Sequence, residues 1–276
     1  MSAQQQPSIE WLEAQAKSAR VQTIDSIYLA KSGHAGTSLS MIEVLVALYF
    51  AVLCHHPSDP DWPERDRVVL SKGHGAPGLY AVLSLVGYFE TADLSRLRKF
   101  GSLLQGHPKK GLAGVDVSTG SLGQGLSVAT GIGLGLRLRG SSGRVFCILG
   151  DGEMQEGQNW EAMMSAAAWG LENVVAIIDR NQLQNDGRTE DIIPIEDLVA
   201  KGNSFGWSTS RVDGNDMKSI VEALRATSGA TKPTMIVADT VKGKGVSFME
   251  NVVKWHHHPI NLEEYKLAIA ELRGDT

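Results

Sequence analysis

The sequence predicts an α/β fold in which a parallel β-sheet is covered by helices on both faces. Short runs rich in valine, isoleucine and leucine alternate with segments whose apolar residues recur at helical spacing, and this alternation is typical of parallel sheets. Glycine is abundant, with 30 residues among 276, and many glycines follow a predicted strand, where backbone can approach a ligand closely. The chain shows no linker, repeat or low-complexity segment, so residues 1–276 are expected to form one domain.

The N-terminal part of the chain is predicted to be mainly helical. Apolar residues at helical spacing indicate a first helix, and Ser38 is expected to cap a second, strongly apolar one. No periodicity is found over 99–119, and a loop of this length inside a compact domain is usually functional. The predicted elements are helices over 8–29, 38–53, 77–87 and from residue 91, and a short strand over 67–71.

The remainder of the chain carries the clearest alternation of strands and helices. The strand at 144–149 is followed by a glycine-rich turn, a helix and a second strand, which together form one parallel unit. The predicted strands are 144–149, 173–178, 206–212 and 234–240, and the predicted helices are 122–138, 158–169, 195–201, 218–227 and 262–272. The chain is thus expected to have an N-terminal helical segment, a sheet and a short C-terminal helix.

Composition excludes several functional classes. The net charge is 26 − 31 = −5, without a basic run, so a nucleic-acid partner is not expected. Cys54 and Cys147 lie in apolar stretches and are predicted to be buried, reduced thiols. Residues 1–7 lack the features of a secretory signal, and the apolar stretch 41–54 is too short to span a bilayer. A cytoplasmic protein that does not associate with membranes is therefore expected.

Polar residues follow two neighbouring strands of the predicted sheet. Asp151 stands between two glycines at the end of the 144–149 strand, and Asn181 follows the next strand, 30 residues later. Ligands of parallel sheets bind at the carboxyl ends of the strands. An Asp oxygen, an Asn oxygen and a backbone carbonyl suit Mg²⁺ when phosphates and water complete its shell. The alternative to a metal site is a purely structural role, in which Asp151 caps a tight turn and Asn181 lies in a loop.

This arrangement resembles the thiamine-diphosphate motif, which opens with Gly-Asp-Gly and closes with Asn about 30 residues later. Further segments resemble blocks of transketolases in the family order, so that the similarity extends from about residue 15 to 260. These segments are Gly33-His34-Ala35-Gly36, the run from Pro60 to His74, Gln105-Gly106-His107-Pro108, Thr119 to Gly125, Val241 to Gly245, and Trp255-His256. The chain is identified as a member of this family, with the thiamine-diphosphate-binding fold of its diphosphate (PP) domain.

The resemblance implies roles for individual residues. The metal, Mg²⁺ or alternatively Ca²⁺ or Mn²⁺, would be bound by Asp151, Asn181 and the carbonyl of Leu183. Thiamine diphosphate would be contacted by His74, Gly120, Ser121, Leu122, Gly150, Asp151, Gly152, Glu153, Asn181, Lys244 and His256. The catalytic groups would be His34, His74, His107, His256 and Glu156. For Lys72 and Lys244, a solvated surface position is an equal alternative, and of the three consecutive histidines only His256 fits the family pattern.

The resemblance also implies a reaction and a partner. A transketolase cleaves a ketose between C2 and C3 and transfers the two-carbon glycolaldehyde unit to an aldose, and histidines serve the proton transfers. Full-length transketolases continue into a pyrimidine-binding domain that carries the catalytic glutamate, to which Glu156 would couple. The chain is therefore expected to be the N-terminal subunit of a split transketolase acting on sugar phosphates, in a heterotetramer with a C-terminal subunit.

Two alternatives to this function remain. One is a related thiamine-diphosphate enzyme component, of a deoxyxylulose-phosphate synthase or an oxo-acid dehydrogenase. The segment over 60–67 and Trp255-His256 favour a transketolase over both. The other is a non-catalytic regulatory paralogue, which is expected to have lost Asp151, Asn181 or the site histidines.

Overall fold

The predicted strands form one parallel sheet in the computed structural model, which describes residues 6–275. The strands are β1 (Arg67–Leu70), β2 (Val145–Gly150), β3 (Val174–Arg180), β4 (Ser208–Asp213) and β5 (Thr234–Asp239). Their order in the sheet is β1-β2-β3-β5-β4, and each neighbouring pair is parallel. All carboxyl ends therefore meet at one edge of the sheet, as the α/β prediction requires.

Helices cover both faces of this sheet. They are α1 (Ile9–Ala30), α2 (Ala35–Ser40), α3 (Ile42–Ala47), α4 (Ala76–Val86), α5 (Gln124–Leu138), α6 (Gly157–Ala168), α7 (Thr189–Ile192), α8 (Leu198–Ser204), α9 (Met217–Arg225) and α10 (Leu262–Arg273). Alternate residues of β2 point to opposite faces. Phe146 and Ile148 join a core cluster with α1, α3, α4, α9 and α10, whereas Val145, Cys147 and Leu149 join a second cluster with α5, α6 and α8.

The predicted helix over 38–53 differs from the structure. Helix α2 already begins at Ala35, and the helical conformation is interrupted at Met41. Helix α3 then continues into a π-helical turn over Leu48–Val52. Ser38 does not cap a helix: it lies inside α2 and its hydroxyl donates to the carbonyl of His34 at 2.7 Å. Because α2 and α3 are buried on every side, no polar face in the sequence marks where these helices begin and end.

Smaller differences concern short elements. The segment from residue 91 is a 3₁₀ helix (Thr91–Arg96), and the four-residue helix α7 was not predicted. The prediction that both cysteines are buried is correct for Cys147 and wrong for Cys54, which is exposed where the chain leaves the helical layer. Both thiols are free.

Between residues 6 and 275, no helix is long and apolar enough to cross a membrane. Residues 1–5, on which the expected lack of a secretory signal partly depends, lie outside the described residues.

Candidate active site

Asp151 lies at the carboxyl end of β2, before a 3₁₀ turn over Gly152–Gln155. Its carboxylate is buried. Oδ2 accepts hydrogen bonds from Arg180 Nη1 at 2.7 Å and from the backbone N–H of Gln182 at 2.8 Å, whereas Oδ1 accepts one from the N–H of Gly152 at 2.9 Å. Burial raises the pKa of Asp151, and the charge of Arg180 opposes this rise. Oδ1 keeps a lone pair for a cation.

Asn181 follows the adjacent strand β3 and is fixed by two hydrogen bonds. Its Oδ1 accepts from the N–H of Leu183 at 3.1 Å, and its Nδ2 donates to Asp179 Oδ2 at 3.1 Å. Asp151, Asn181 and Leu183 line one cavity of about 220 Å³. These residues offer three oxygen donors with a single negative charge, so a divalent ion fits there once phosphate oxygens and water complete its shell. Within residues 6–275, no group of three or more His, Cys, Asp or Glu side chains is arranged for a metal ion.

Two buried lysines bring positive charge to the same cavity. Lys72 forms an ion pair with Asp179. Lys242 is fully buried; its Nζ donates to the carbonyl of Leu183 at 3.0 Å and to His256 Nδ1 at 2.7 Å, but it pairs with no carboxylate of residues 6–275. Burial, reinforced by the charge of Lys72, lowers the pKa of Lys242 to about 8. A buried ammonium without a counter-ion is costly, and a diphosphate would supply the missing charge.

Unpartnered polar atoms point to the same kind of ligand. Five side-chain atoms of the described residues are buried without a hydrogen-bond partner, which is uncommon in folded proteins. Three of them, His34 Nδ1, Thr119 Oγ1 and Gln184 Oε1, lie at or near the cavity and the histidine cluster. Gln184 lines the cavity, and Thr119 precedes Gly120, which adjoins His107. The residues present therefore fit a polar, anionic cofactor with its metal ion.

Glu153 holds the backbone around the cavity. Its buried Oε1 accepts from Ser71 Oγ and from the N–H of Gly123 at 2.9 Å, and Oε2 accepts from the N–H of Gly150 at 3.1 Å. Burial raises the pKa of Glu153, and these hydrogen bonds oppose the rise. One carboxylate thus ties the ends of β1 and β2 to the turn that precedes α5, which makes Glu153 a positioning residue.

The histidines His34, His74, His107 and His256 come from four distant segments and lie side by side. The ring centroid of His34 is 5.2 Å from that of His74, 6.4 Å from that of His107 and 5.7 Å from that of His256. The rings of His74 and His256 stack at 5.2 Å. His74 and His256 also line the cavity, so the histidine cluster adjoins the oxygen donors.

The histidine cluster is neutral at physiological pH. Burial lowers the pKa of His34 to about 3, aided by His257, His107 and Arg98. Burial likewise lowers the pKa of His256 to about 3, with Lys242 as the next cause, and lowers the pKa values of His74 and His107. A neutral imidazole donates one hydrogen bond and accepts another, and this suits it to bind hydroxyl groups.

Most of the predicted site residues meet at this cavity. Its lining includes His74, Leu122, Gly150, Asp151, Gly152, Glu153, Glu156, Asn181, Leu183 and His256. Gly120 lies against His107, since a Cβ at position 120 would be 3.4 Å from Cδ2 of that ring. Ser121 is exposed beside it, and Glu156 is exposed at the cavity edge.

Lys244 is not brought to the cavity. Its side chain is 39% exposed and pairs with Glu250 at 3.7 Å, in a depression next to α1 and α10. The lysine of this segment that reaches the cavity is Lys242. Gly243 separates the two lysines, and its left-handed backbone (φ 81°) turns the chain between them.

Sequence reasoning missed three residues of the site. Asp179 was recognisable as the one carboxylate in the apolar run of β3. Lys242 carried no such signal, since lysines occur on both sides of Gly243. His257 does not fit the family pattern that selects its neighbour, but its ring centroid lies 4.7 Å from that of His34.

Comparisons with known proteins agree with this geometry. Residues 12–273 match the family described as transketolase, thiamine diphosphate binding domain. The 6-deoxy-6-sulfo-D-fructose transketolase subunit SqwG of Clostridium sp. (strain MSTE9) is 44% identical over 266 residues, which cover 96% of this chain and 97% of that protein. An apulose-4-phosphate transketolase subunit from Phocaeicola vulgatus is 38% identical over 265 residues, covering 96% of this chain and 94% of that protein.

The fold is also that of solved transketolases. The crystal structure of transketolase from Campylobacter jejuni matches with a TM-score of 0.91 and 30% identity, covering 97% of this chain and 43% of that one. The predicted fold and the resemblance stated from the motifs are both confirmed. The chain therefore belongs to the transketolase family, as a transferase subunit that carries its thiamine-diphosphate-binding domain.

Proposed function

We propose that this chain forms a single diphosphate-binding domain and acts as the N-terminal subunit of a split transketolase. Together with a C-terminal partner subunit it transfers a two-carbon ketol unit from a ketose phosphate to an aldose phosphate. One observation carries the proposal: two members of the histidine cluster, His74 and His256, line the same cavity as the oxygen donors Asp151, Asn181 and Leu183.

The cavity residues divide into those that hold the metal and those that hold the cofactor. Asp151, Asn181 and the Leu183 carbonyl would bind Mg²⁺, or Ca²⁺ or Mn²⁺ in its place. The diphosphate would be bound by Lys242, His74, His256 and the backbone of Gly150 and Gly152. Gly120, Ser121 and Leu122 would contact the rest of thiamine diphosphate, which supplies the electron sink of the reaction.

The histidines serve the sugar. Each step of ketol transfer moves a proton onto or off a hydroxyl group, and a positioned imidazole performs such transfers. His34 and His107 lie in the histidine cluster but not in the cavity lining, and they would hold substrate hydroxyls. The unpartnered Nδ1 of His34 supports this role. An entering negative charge favours the protonated form of these buried rings.

A partner subunit would complete the site. Glu156 is exposed at the cavity edge and offers a carboxylate to a neighbouring chain. Relatives of matching length are named as subunits, and we propose a heterotetramer with two copies of each subunit. The absence of a disulfide between the two cysteines is consistent with a cytoplasmic enzyme.

The substrate is proposed to be a sugar with a terminal tetrahedral anion. The names of the two relatives refer to a sulfonated and a phosphorylated sugar. Phosphate and sulfonate share three oxygens on a tetrahedral centre, so a single guanidinium can bind either group.

The test is ketol transfer by the complex of this chain with its partner subunit, in the presence of thiamine diphosphate and Mg²⁺. Asp151→Asn removes the one charged metal ligand without changing its shape. We expect this variant to need about 100-fold more Mg²⁺ for half-maximal activity, since losing a charge-assisted contact costs about 1.5–3 kcal/mol. Asp191→Asn, on the exposed surface of α7, is the control. Transfer by this chain without its partner, or an unchanged Mg²⁺ requirement of Asp151→Asn, would contradict the proposal.

A further inference from the structure

We infer that Arg180 is a positioning residue that biases the metal site toward Mg²⁺ over Ca²⁺. It does so by holding the loop that carries two of the proposed metal ligands against the third ligand, Asp151. This inference rests on the proposed function, because it concerns the metal ion that would accompany the cofactor.

The two carboxylate oxygens of Asp151 have different surroundings. Oδ2 accepts three hydrogen bonds, from Arg180 Nη1 at 2.7 Å, from the N–H of Gln182 at 2.8 Å and from Thr189 Oγ1 at 3.2 Å. Oδ1 accepts one, from the N–H of Gly152 at 2.9 Å. Because three donors occupy Oδ2, the carboxylate offers a cation one oxygen, Oδ1.

The same contacts close the loop 181–188, which carries the other two proposed metal ligands. Arg180 directly precedes this loop and Thr189 directly follows it, and both donate to the same oxygen of Asp151. The N–H of Thr189 also donates to the carbonyl of Gln182 at 3.0 Å, across the base of the loop. The three ligands are thereby held at fixed distances from one another.

The guanidinium of Arg180 is itself fixed by two further carboxylates. Its Nη2 pairs with Glu190 Oε1 at 2.9 Å, and its Nε pairs with Glu196 Oε1 at 3.0 Å. Glu190 belongs to α7 and Glu196 to the segment before α8, so several segments meet at one side chain that is only 3% exposed. A planar fork of donors can bind three carboxylates at once, which the single ammonium of a lysine does poorly.

A fixed spacing and a single carboxylate oxygen favour Mg²⁺. This ion requires near-ideal octahedral geometry with bonds of about 2.0–2.1 Å, whereas Ca²⁺ accepts bidentate carboxylates and flexible ligand sets at about 2.3–2.6 Å. Loss of Arg180 would free a lone pair of Asp151 Oδ2 and release one end of the loop, and both changes favour the larger ion. The lost positive charge acts alike on the two divalent ions, so the ratio of their affinities reports geometry.

The test is a competition between Mg²⁺ and Ca²⁺ for the complex of this chain with its partner subunit. The complex is dialysed against thiamine diphosphate with equal free concentrations of the two ions, and the bound metals are counted by mass spectrometry. Arg180→Met replaces the fork with a flexible apolar chain. We expect the bound ratio of Ca²⁺ to Mg²⁺ to rise about 10-fold over wild type, since residues that orient metal ligands typically change metal affinity by about 10- to 100-fold. Arg180→Lys keeps the charge without the fork and should show most of this rise.

Arg211→Met is the matched control. Arg211 belongs to the same charge network, since it pairs with Glu196 at 3.3 Å and with Asp239 at 2.8 Å, but it is 41% exposed. Its removal should leave the metal ratio within about twofold of wild type, because exposed ion pairs contribute little. A wild-type ratio in Arg180→Met would overturn the inference, and so would a rise that Arg180→Lys abolishes.

A second variant covers the case in which Arg180→Met does not fold. Glu190→Gln weakens one of the three contacts of Arg180 at a side chain that is 29% exposed, and it should raise the ratio about threefold; an unchanged ratio there would refute the role of Arg180. If the wild-type complex retains neither ion, the proposed metal site and the proposed function fail together with this inference. If the wild type retains metal and the ratio does not respond to the variants, only the role of Arg180 is refuted.

Discussion

Lys242 and Lys244 are two lysines of one short segment with opposite environments. Lys242 is buried against Leu183 and His256 without a carboxylate partner, whereas Lys244 is partly exposed and pairs with Glu250. Only the first can act on a ligand in the cavity. Because a desolvated charge interacts strongly with an opposite charge, Lys242 should contribute directly to diphosphate binding.

Replacing Lys242 by methionine should therefore weaken thiamine-diphosphate binding about 10- to 100-fold. Methionine fills a similar volume with a flexible apolar chain. The unfolding temperature without cofactor should change little, since the loss of hydrogen bonds to Leu183 and His256 offsets the removal of a buried charge. Calorimetric titration and thermal unfolding measure the two quantities. Lys244→Met is the control, and an equal loss of affinity in that variant would refute this assignment.

Individual site residues could be predicted from the sequence where they belong to a recognisable motif. The Gly-Asp-Gly turn and the Asn 30 residues later predicted Asp151 and Asn181 as site residues, and the resemblance to transketolase motifs predicted the four histidines that lie together in the structure. The sequence did not distinguish Lys242 from Lys244, because both flank Gly243 and only the tertiary structure buries one of them. It also did not reveal His257, since side-chain directions in an irregular segment depend on tertiary packing.

Among the secondary-structure elements, α5 carries its glycines for two different reasons. A Cβ at Gly133 would lie 2.5 Å from Cγ2 of Val174, and one at Gly125 would overlap Ser71. These glycines let the helix pack closely on β1 and β3. Gly131 and Gly135, in contrast, face open space.

This difference predicts opposite effects of the same substitution in one helix. Gly133→Ala should lower the free energy of unfolding by about 1–3 kcal/mol, because the methyl group overpacks the contact with Val174. Gly131→Ala should raise it by about 0.5–1 kcal/mol, since alanine favours the helix and meets no neighbour. Denaturant unfolding of the isolated subunit gives both values. Changes of the same sign in the two variants would show that α5 does not pack as described.

How well a helix could be predicted from the sequence depends on how its residues are buried. Amphipathic helices such as α9 and α10 were predicted to within a few residues of their observed ends, because their apolar residues recur at helical spacing between polar ones. The fully buried α2 and α3 were merged into one misplaced helix. Helix α7 has four residues, too few to show a period.

At the scale of the whole molecule, the helices that begin at the cavity expose apolar side chains within residues 6–275. Helices α5 and α6 pack together, and Leu122 and Glu156, at the start of these helices, border the open side of the cavity. The outer faces of the helices expose apolar side chains: Val128, Leu138, Met164 and Trp169. A partner that approaches the cavity from this side would cover part of these helices, and exposed apolar residues of this kind are typical of protein–protein contacts. We therefore expect the C-terminal subunit to cover these outer faces.

Met164→Asp tests that expectation, since a charge buried in an apolar interface without a counter-ion is strongly unfavourable. Met164 is 60% exposed in this chain, so the substitution should leave its unfolding temperature nearly unchanged. We expect association with the partner subunit, measured by sedimentation, to weaken by at least about 100-fold, which corresponds to about 3 kcal/mol. Leu267→Asp introduces the same charge on the exposed face of α10, where Leu267 is 55% exposed, and should not affect assembly. If the two variants weaken association equally, or if neither does, the partner does not bind over α5 and α6, and the open side of the cavity must be reached from another direction.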